Sequence, residues 1–198
     1  MRRLVLVRHG ETEGRSSVRF LGRTDSPLAE EGRDQLRRTR DELASLSFDV
    51  AFTSPLSRAR ESARILLERR GLAPQVVEGF REIDFGRLEG LTEPEIAARE
   101  PEFFRVWRVE KRAQGYPGGE DFEEFRRRVV AAYDGLESAG SIRGSVLLVA
   151  HRGSLRAVLS RTLGPEAWGR RDLLLDLGGW LTLREEDGSW RIGERSAR

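Results

Sequence analysis

The stretch Leu4-Val5-Leu6-Val7-Arg8-His9-Gly10-Glu11-Thr12 decides how this chain is read. Four consecutive apolar residues predict a buried, parallel strand, because a strand covered on both faces loses the alternation of a half-exposed one. The run stops at an arginine, a histidine and a glycine. In open α/β sheets, ligands bind just beyond the carboxyl ends of the strands. Arg8 and His9 therefore fall where such a fold does its chemistry. A structural histidine that merely ends a strand is the plain alternative, and the rest of the chain must decide between the two.

Working outward, Glu13 to Pro27 carries loop and turn residues, and a helix is expected over about 29–46. Asp49 to Thr53 reads as a second strand. Ser54-Pro55 then reads as a helix cap followed by proline at the first helical position, opening a helix to about Arg70. Gln75 to Glu78 is a short third strand. Glu93 to about Ala113 is expected to be helical with a break near Pro101, and Gln114 to Gly119 to be irregular. Asp121, with Glu124 three residues on, opens a further helix. Ser145 to Ala150 is another unbroken apolar strand, ending at His151-Arg152-Gly153 and followed by a helix to Gly164-Pro165. Trp180 to Leu183 and Trp190 to Ile192 flank Asp187-Gly188, a hairpin signal. Strands alternating with helices predict a three-layer α/β fold with a largely parallel sheet and a C-terminal antiparallel hairpin. One domain over 1–198 is expected, with a helical lid insertion at about 91–119.

Composition narrows the function classes. With no cysteine among 198 residues, the chain can form neither a disulfide nor a thiolate metal site. The apolar run after the N-terminal arginines is too short for a signal peptide core, and no apolar stretch is long enough to span a bilayer. The expectation is a cytoplasmic protein that acts on no membrane. Net charge is only +2, and all 35 basic residues but Lys111 are arginine, interleaved with Asp and Glu along the helices. That pattern describes a solvated, salt-bridged surface rather than a nucleic-acid patch.

The chain's two histidines, His9 and His151, each directly follow a predicted buried strand. Arg58 lies in the first turn after the second strand and Glu82 just beyond the third. Two guanidiniums match the oxygens of a phosphoryl group and neutralise its charge. The start of the helix after His151 adds backbone donors. A neutral imidazole can attack phosphorus, a carboxylic acid can protonate the leaving oxygen, and a second, protonated histidine can stabilise the transferring group. Two histidines and a glutamate can also hold zinc or iron, but two arginines beside a divalent cation repel it. No metal and no cofactor is expected.

Arg8-His9-Gly10-Glu11-Thr12 resembles the signature of the histidine phosphatase superfamily, also called phosphoglycerate mutase-like. Gly22 to Leu28 with Glu31-Gly32, Ser54-Pro55-Leu56-Ser57-Arg58-Ala59, Arg81-Glu82-Ile83-Asp84-Phe85-Gly86 with Glu89-Gly90, Pro117-Gly118-Gly119-Glu120 and Ala150-His151 resemble its other motifs, in family order. The resemblance implies that His9 is the nucleophile that becomes phosphohistidine. It implies that Arg8, Arg58 and His151 form the phosphate pocket and that Glu82 is the proton donor, then the base. Backbone groups near Leu21 and Gly22, and the helix start at Gly153, would contact substrate. Two positions depart from the family pattern. Arg15 stands where asparagine is common, and Arg152 stands where a small residue is. Both either read a second anionic group or face solvent. Trp107 and Tyr116, in the insert that usually roofs the pocket, are candidate substrate contacts, though aromatics on a helix more often serve a core. Arg105, Arg108, Lys111 and Arg112 are expected on a solvated face.

The implied activity is a metal-independent phosphomonoester hydrolase acting on a small phosphorylated metabolite. Within the family, the motifs resemble α-ribazole phosphatases and broad-specificity bacterial phosphatases. A phosphoglycerate mutase is the alternative enzyme, and a non-catalytic phosphate- or RNA-binding module the alternative of another class. Hydrolysis is favoured over mutase chemistry because the insert is short and Gly193 to Arg198 are too few to cover a pocket. The expected partner is a small-molecule phosphate ester; a homodimer is left open.

Overall fold

The computed structural model describes residues 2–109 and 115–196. Among them, six strands form one sheet: β1 (Arg3–Arg8), β2 (Val50–Thr53), β3 (Gln75–Val76), β4 (Ser145–Ala150), β5 (Trp180–Glu186) and β6 (Ser189–Arg195). Their order is β3-β2-β4-β1-β5-β6. The first four run parallel, β5 is antiparallel to β1, and β6 is antiparallel to β5. The two apolar runs of the sequence are thus the two central strands. Successive residues point to opposite faces, and both faces are covered. Val5 and Val7 pack with Leu147 and Val149 against α1 (Glu30–Glu42) and α2 (Ser57–Leu67).

The insert supplies α3 (Glu93–Arg99) and α4 (Pro101–Phe104), the latter continued by a π turn over Arg105–Val109. It has a small core of its own, built on Leu88, Leu91, Ile96 and Phe103. On the other face of the sheet, α5 (Phe122–Ser138) and α6 (Arg152–Leu163) bury Phe125, Val129, Leu155 and Val158 against Leu4, Leu6 and Leu148. Neighbouring parallel strands β1 and β4 therefore feed helices on opposite faces. That divergence opens a crevice at their carboxyl ends.

Several boundaries differ from the sequence expectation for identifiable reasons. α1 stops at Glu42 and α2 at Leu67, short of the expected ends. The Arg70 guanidinium takes up carbonyls there, donating to Leu43 O at 2.7 Å, to Leu66 O at 3.3 Å and to Leu46 O. Ser54 does not cap α2, which begins only at Ser57 with Leu56 at the cap position. Asp25, from the loop before α1, accepts from Ser57 N at 2.9 Å and from Ser57 Oγ at 2.9 Å instead. The insert is not one broken helix but two short ones and a π turn, parted at Glu100. The expected end of that helix lies outside the described residues. Asp121 caps α5 as expected, accepting from Glu123 N and Glu124 N. The hairpin turns at Asp187-Gly188, both with positive φ, and its strands are longer than expected: β6 runs on through Gly193 to Arg195.

Candidate active site

Strand register brings the two histidines together. Val7 pairs with Val149 and Arg8 with Ala150, so the next residue on each strand is a histidine. Adjacent strands lie about 4.8 Å apart, and the rings of His9 and His151 are 5.0 Å apart, centroid to centroid. His9 Nδ1 lies 2.7 Å from the carbonyl oxygen of Gly10. A carbonyl only accepts, so Nδ1 carries the hydrogen and Nε2 keeps its lone pair. Burial, then Arg58, then Arg8 hold the His9 pKa well below the ordinary histidine value. The ring is neutral at physiological pH.

Both arginines are buried. Arg8 donates from Nη1 to Leu175 O at 3.1 Å. Burial and then Arg152 push its pKa down to about 9, so it stays protonated at neutral pH. Arg58 is fully buried, an unusual place for a charge. Its Nη atoms donate to the carbonyls of Leu21 (3.1 Å), Gly22 (2.7 Å) and Thr24 (2.9 Å), and Asp25 lies at 3.7 Å. The Nε atoms of Arg8 and of Arg58 are buried without a partner. Unsatisfied charged donors of this kind are what an arriving anion would fill.

Glu82 accepts from the backbone of Gly153 at 2.9 Å and of Ile83 at 3.0 Å. Gly153 is required for that seat. A Cβ there would lie 2.3 Å from Glu82 Oε1 and 3.0 Å from the Phe125 ring. His151 is fully buried, with Nε2 2.7 Å from Ser54 Oγ. Burial, Arg58, His9 and Arg8 all push its pKa well below the ordinary value. The role the sequence reading gave a protonated second histidine is thus opposed by burial and by the neighbouring cations, which favour neutral His151. Among the described residues, no group of three or more His, Cys, Asp or Glu side chains could hold a metal ion.

Arg8, His9 and Glu82 open into a cavity of about 560 Å³. One side is aromatic: Phe20 meets Phe85 and Trp107 edge-on, and Phe85 meets Tyr116 edge-on. Trp107 and Tyr116 line the cavity and also pack on the insert's core.

The sequence profile of the Histidine phosphatase superfamily (branch 1) matches residues 4–197. The chain belongs to the histidine phosphatase superfamily. An adenosylcobalamin/alpha-ribazole phosphatase of Salmonella typhimurium is 30% identical over 90% of this chain and 88% of its own length. A 2,3-bisphosphoglycerate-dependent phosphoglycerate mutase of Azorhizobium caulinodans is 37% identical over 87% of each. The solved alpha-ribazole phosphatase of Shigella flexneri superposes with a TM-score of 0.84, at 26% identity, over 96% of this chain and 94% of that one. The mutase relative is covered over nearly its whole length, so overall length does not separate the two activities.

In this histidine phosphatase, the cavity wall includes Arg8, His9, Leu21, Glu82, Arg152 and Gly153 from the expected set. Arg58, His151 and Gly22 are not on that wall. The first two are buried next to His9, and Gly22 is tied by its carbonyl to Arg58 and by its N–H to Glu89. Arg15 is also off the wall. It is exposed, at a φ of 60° in a turn where Thr12 O accepts its N–H, which turns it from the cavity. Arg108 is exposed, as expected, and also lines the cavity, paired with Glu93 at 2.6 Å. Arg105 is exposed and paired with Glu102; Lys111 and Arg112 lie outside the described residues.

The sequence reading gave no site role to Glu89, Asp25 or Arg156, and read Ser54 only as a helix cap. Glu89 accepts from the N–H groups of Gly22, Arg23, Thr24 and Phe85, holding the loop whose carbonyls grip Arg58. Asp25 and Glu89 stand inside quoted motifs, so position was the available signal.

Proposed function

We propose that this protein hydrolyses small phosphomonoesters through a phosphohistidine on His9 Nε2. The observation that carries this is a neutral His9 whose Nδ1–H is spent on Gly10, beside two buried guanidiniums that each keep an unpartnered Nε. A phosphoryl dianion meets those donors. As it settles, it offsets the charges of Arg58 and Arg8, which add to burial in keeping His151 neutral, and His151 becomes a stronger donor to it. His9 Nε2 attacks phosphorus, the ester P–O bond breaks, and the Glu82 carboxyl gives its proton to the leaving oxygen. Glu82, now a carboxylate held by Gly153 N–H, takes a proton from water as that water attacks the phosphohistidine. Phosphate leaves and His9 is regenerated. No metal and no cofactor enters this scheme, and the partner is a small phosphate ester rather than nucleic acid or membrane.

Release of inorganic phosphate from a panel of phosphorylated metabolites tests the reading. α-Ribazole 5′-phosphate belongs in the panel because relatives carry that name and the aromatic wall suits a ring. Activity is expected to persist in excess EDTA; loss restored by zinc or manganese would overturn the metal-free scheme. With 3-phosphoglycerate and a trace of 2,3-bisphosphoglycerate, isomerisation outrunning phosphate release would show a mutase instead. Binding of RNA without turnover would mark a non-catalytic module.

A further inference from the structure

The cavity holds more positive charge than a single phosphoryl group requires. Five of the arginines on its wall are Arg8, Arg19, Arg108, Arg152 and Arg156. Two have a carboxylate of their own: Arg19 pairs with Glu95 at 3.1 Å and Arg108 with Glu93 at 2.6 Å. Arg8 belongs to the phosphate end. That leaves Arg152 and Arg156. They stand four residues apart on α6, so both side chains lie on one face, about 6 Å apart along the axis.

Among the described residues, Arg152 has no hydrogen-bond or ion-pair partner, although it is exposed and lines the cavity. Arg156 is held differently. It donates to Trp168 O, stacks on the Trp168 ring at 4.3 Å and keeps a buried Nε without a partner. A guanidinium fixed by a ring and a carbonyl has lost much of its rotamer freedom before any ligand arrives. Burial and then Arg152 pull the Arg156 pKa down, against the opposing pull of Tyr116 and Glu82. Among the described residues, neither arginine is paired with a carboxylate: Glu82, the carboxylate near them, is taken up by the Gly153 N–H, so the pair keeps donors for an arriving anion.

We infer that Arg152 and Arg156 form a second oxyanion subsite, so that the preferred substrate is a phosphomonoester carrying a carboxylate or second phosphate a short spacer away. This rests on the phosphatase reading for the word substrate, but the subsite itself can be tested without turnover. A nucleotide-like ester with a neutral leaving group fills the aromatic side of the cavity and leaves the pair empty. A substrate with a second oxyanion uses both, and the Arg fork recognises carboxylate and phosphate alike.

The test uses phosphonates, whose C–P bond the enzyme does not cleave. Binding of 3-phosphonopropanoate, propane-1,3-diphosphonate and propylphosphonate to the full chain is measured by calorimetry in a phosphate-free buffer. The wild type is expected to bind at least one of the two doubly anionic probes about tenfold more tightly, or better, than propylphosphonate, as two charged hydrogen bonds would give. The probe that gains identifies the oxyanion. In Arg152→Gln the ratio is expected to fall towards one, and in Arg152→Glu to invert. Arg152 is exposed at the first turn of α6, so these variants keep the fold. A wild-type ratio near one, or a ratio unchanged in both variants, overturns the subsite. Hydrolysis of p-nitrophenyl phosphate is followed in parallel. Its absence in the wild type would overturn the phosphatase reading while the binding ratio still decides the subsite.

Discussion

The two ends of the cavity are built on different principles. At the phosphate end, every group is set by the sheet or by backbone. His9 and His151 follow paired residues of β1 and β4, Arg58 is gripped by three carbonyls, and Glu82 sits on two N–H groups. At the outer end, Phe20, Phe85, Trp107 and Tyr116 hold one another ring to ring, and the arginines are free (Arg152), stacked on Trp168 (Arg156) or paired with half-buried carboxylates (Arg19, Arg108). Backbone-held groups can be preorganised for charge that develops during reaction. Ring packing instead shapes a volume that can drift in sequence without disturbing the chemistry. The contrast predicts that damage at the inner end falls on kcat and damage at the outer end falls on KM.

The largest effect is expected from His9→Ala. Turnover should vanish, and acid-labile, base-stable phosphate should label the wild type alone; label retained in the variant would break the assignment. Glu82→Gln should lower kcat for an alkyl phosphate by roughly 10²–10⁴-fold, the usual worth of general acid catalysis. The loss should be smaller for p-nitrophenyl phosphate, which needs no proton to leave. Equal losses on both substrates would remove the proton-donor role. Gly153→Ala should lower kcat by about tenfold, because its Cβ would displace the Glu82 carboxylate; an unchanged kcat would mean that the seat is not needed.

The same inner end should make the fold acid-sensitive. His9 and His151 are neutral when folded, with pKa values well below the ordinary one. Unfolded, each takes up a proton as pH falls below about 6.5. The stability they hold is complete above that value and is lost below it, by up to about 1.4 kcal/mol per pH unit for each histidine. Urea midpoints at pH 7 and pH 5 should show a smaller drop for His9→Ala than for the wild type. A drop of equal size would mean that His9 is not held neutral. At the outer end, the smallest effect is expected from Trp107→Ala. It should raise KM a few-fold for a ring-bearing substrate and leave kcat for p-nitrophenyl phosphate within about twofold. A collapse of kcat would erase the distinction between the two ends.

By itself, the sequence determined the frame and which residues meet at the inner end. Unbroken apolar runs mark β1 and β4, and a residue that follows such a run must emerge at the strand's carboxyl end. Because the period of a strand is fixed, naming His9 and His151 was enough to place them at the sheet edge, and Asp187-Gly188 was enough to place the hairpin. Tertiary structure decided what depends on contacts between distant segments. Ser54 reads locally as a cap, yet it hydrogen-bonds His151, 97 residues away, while Asp25 holds the start of α2. Arg15 and Arg152 look equivalent as departures from a family pattern. A turn sends one into solvent, and the first turn of α6 brings the other to the cavity. Arg156 gives no local signal, since its role depends on Trp168 lying under it. Periodicity and strand ends are properties of neighbouring residues, whereas the direction of a loop side chain and its partner are fixed only when the layers pack.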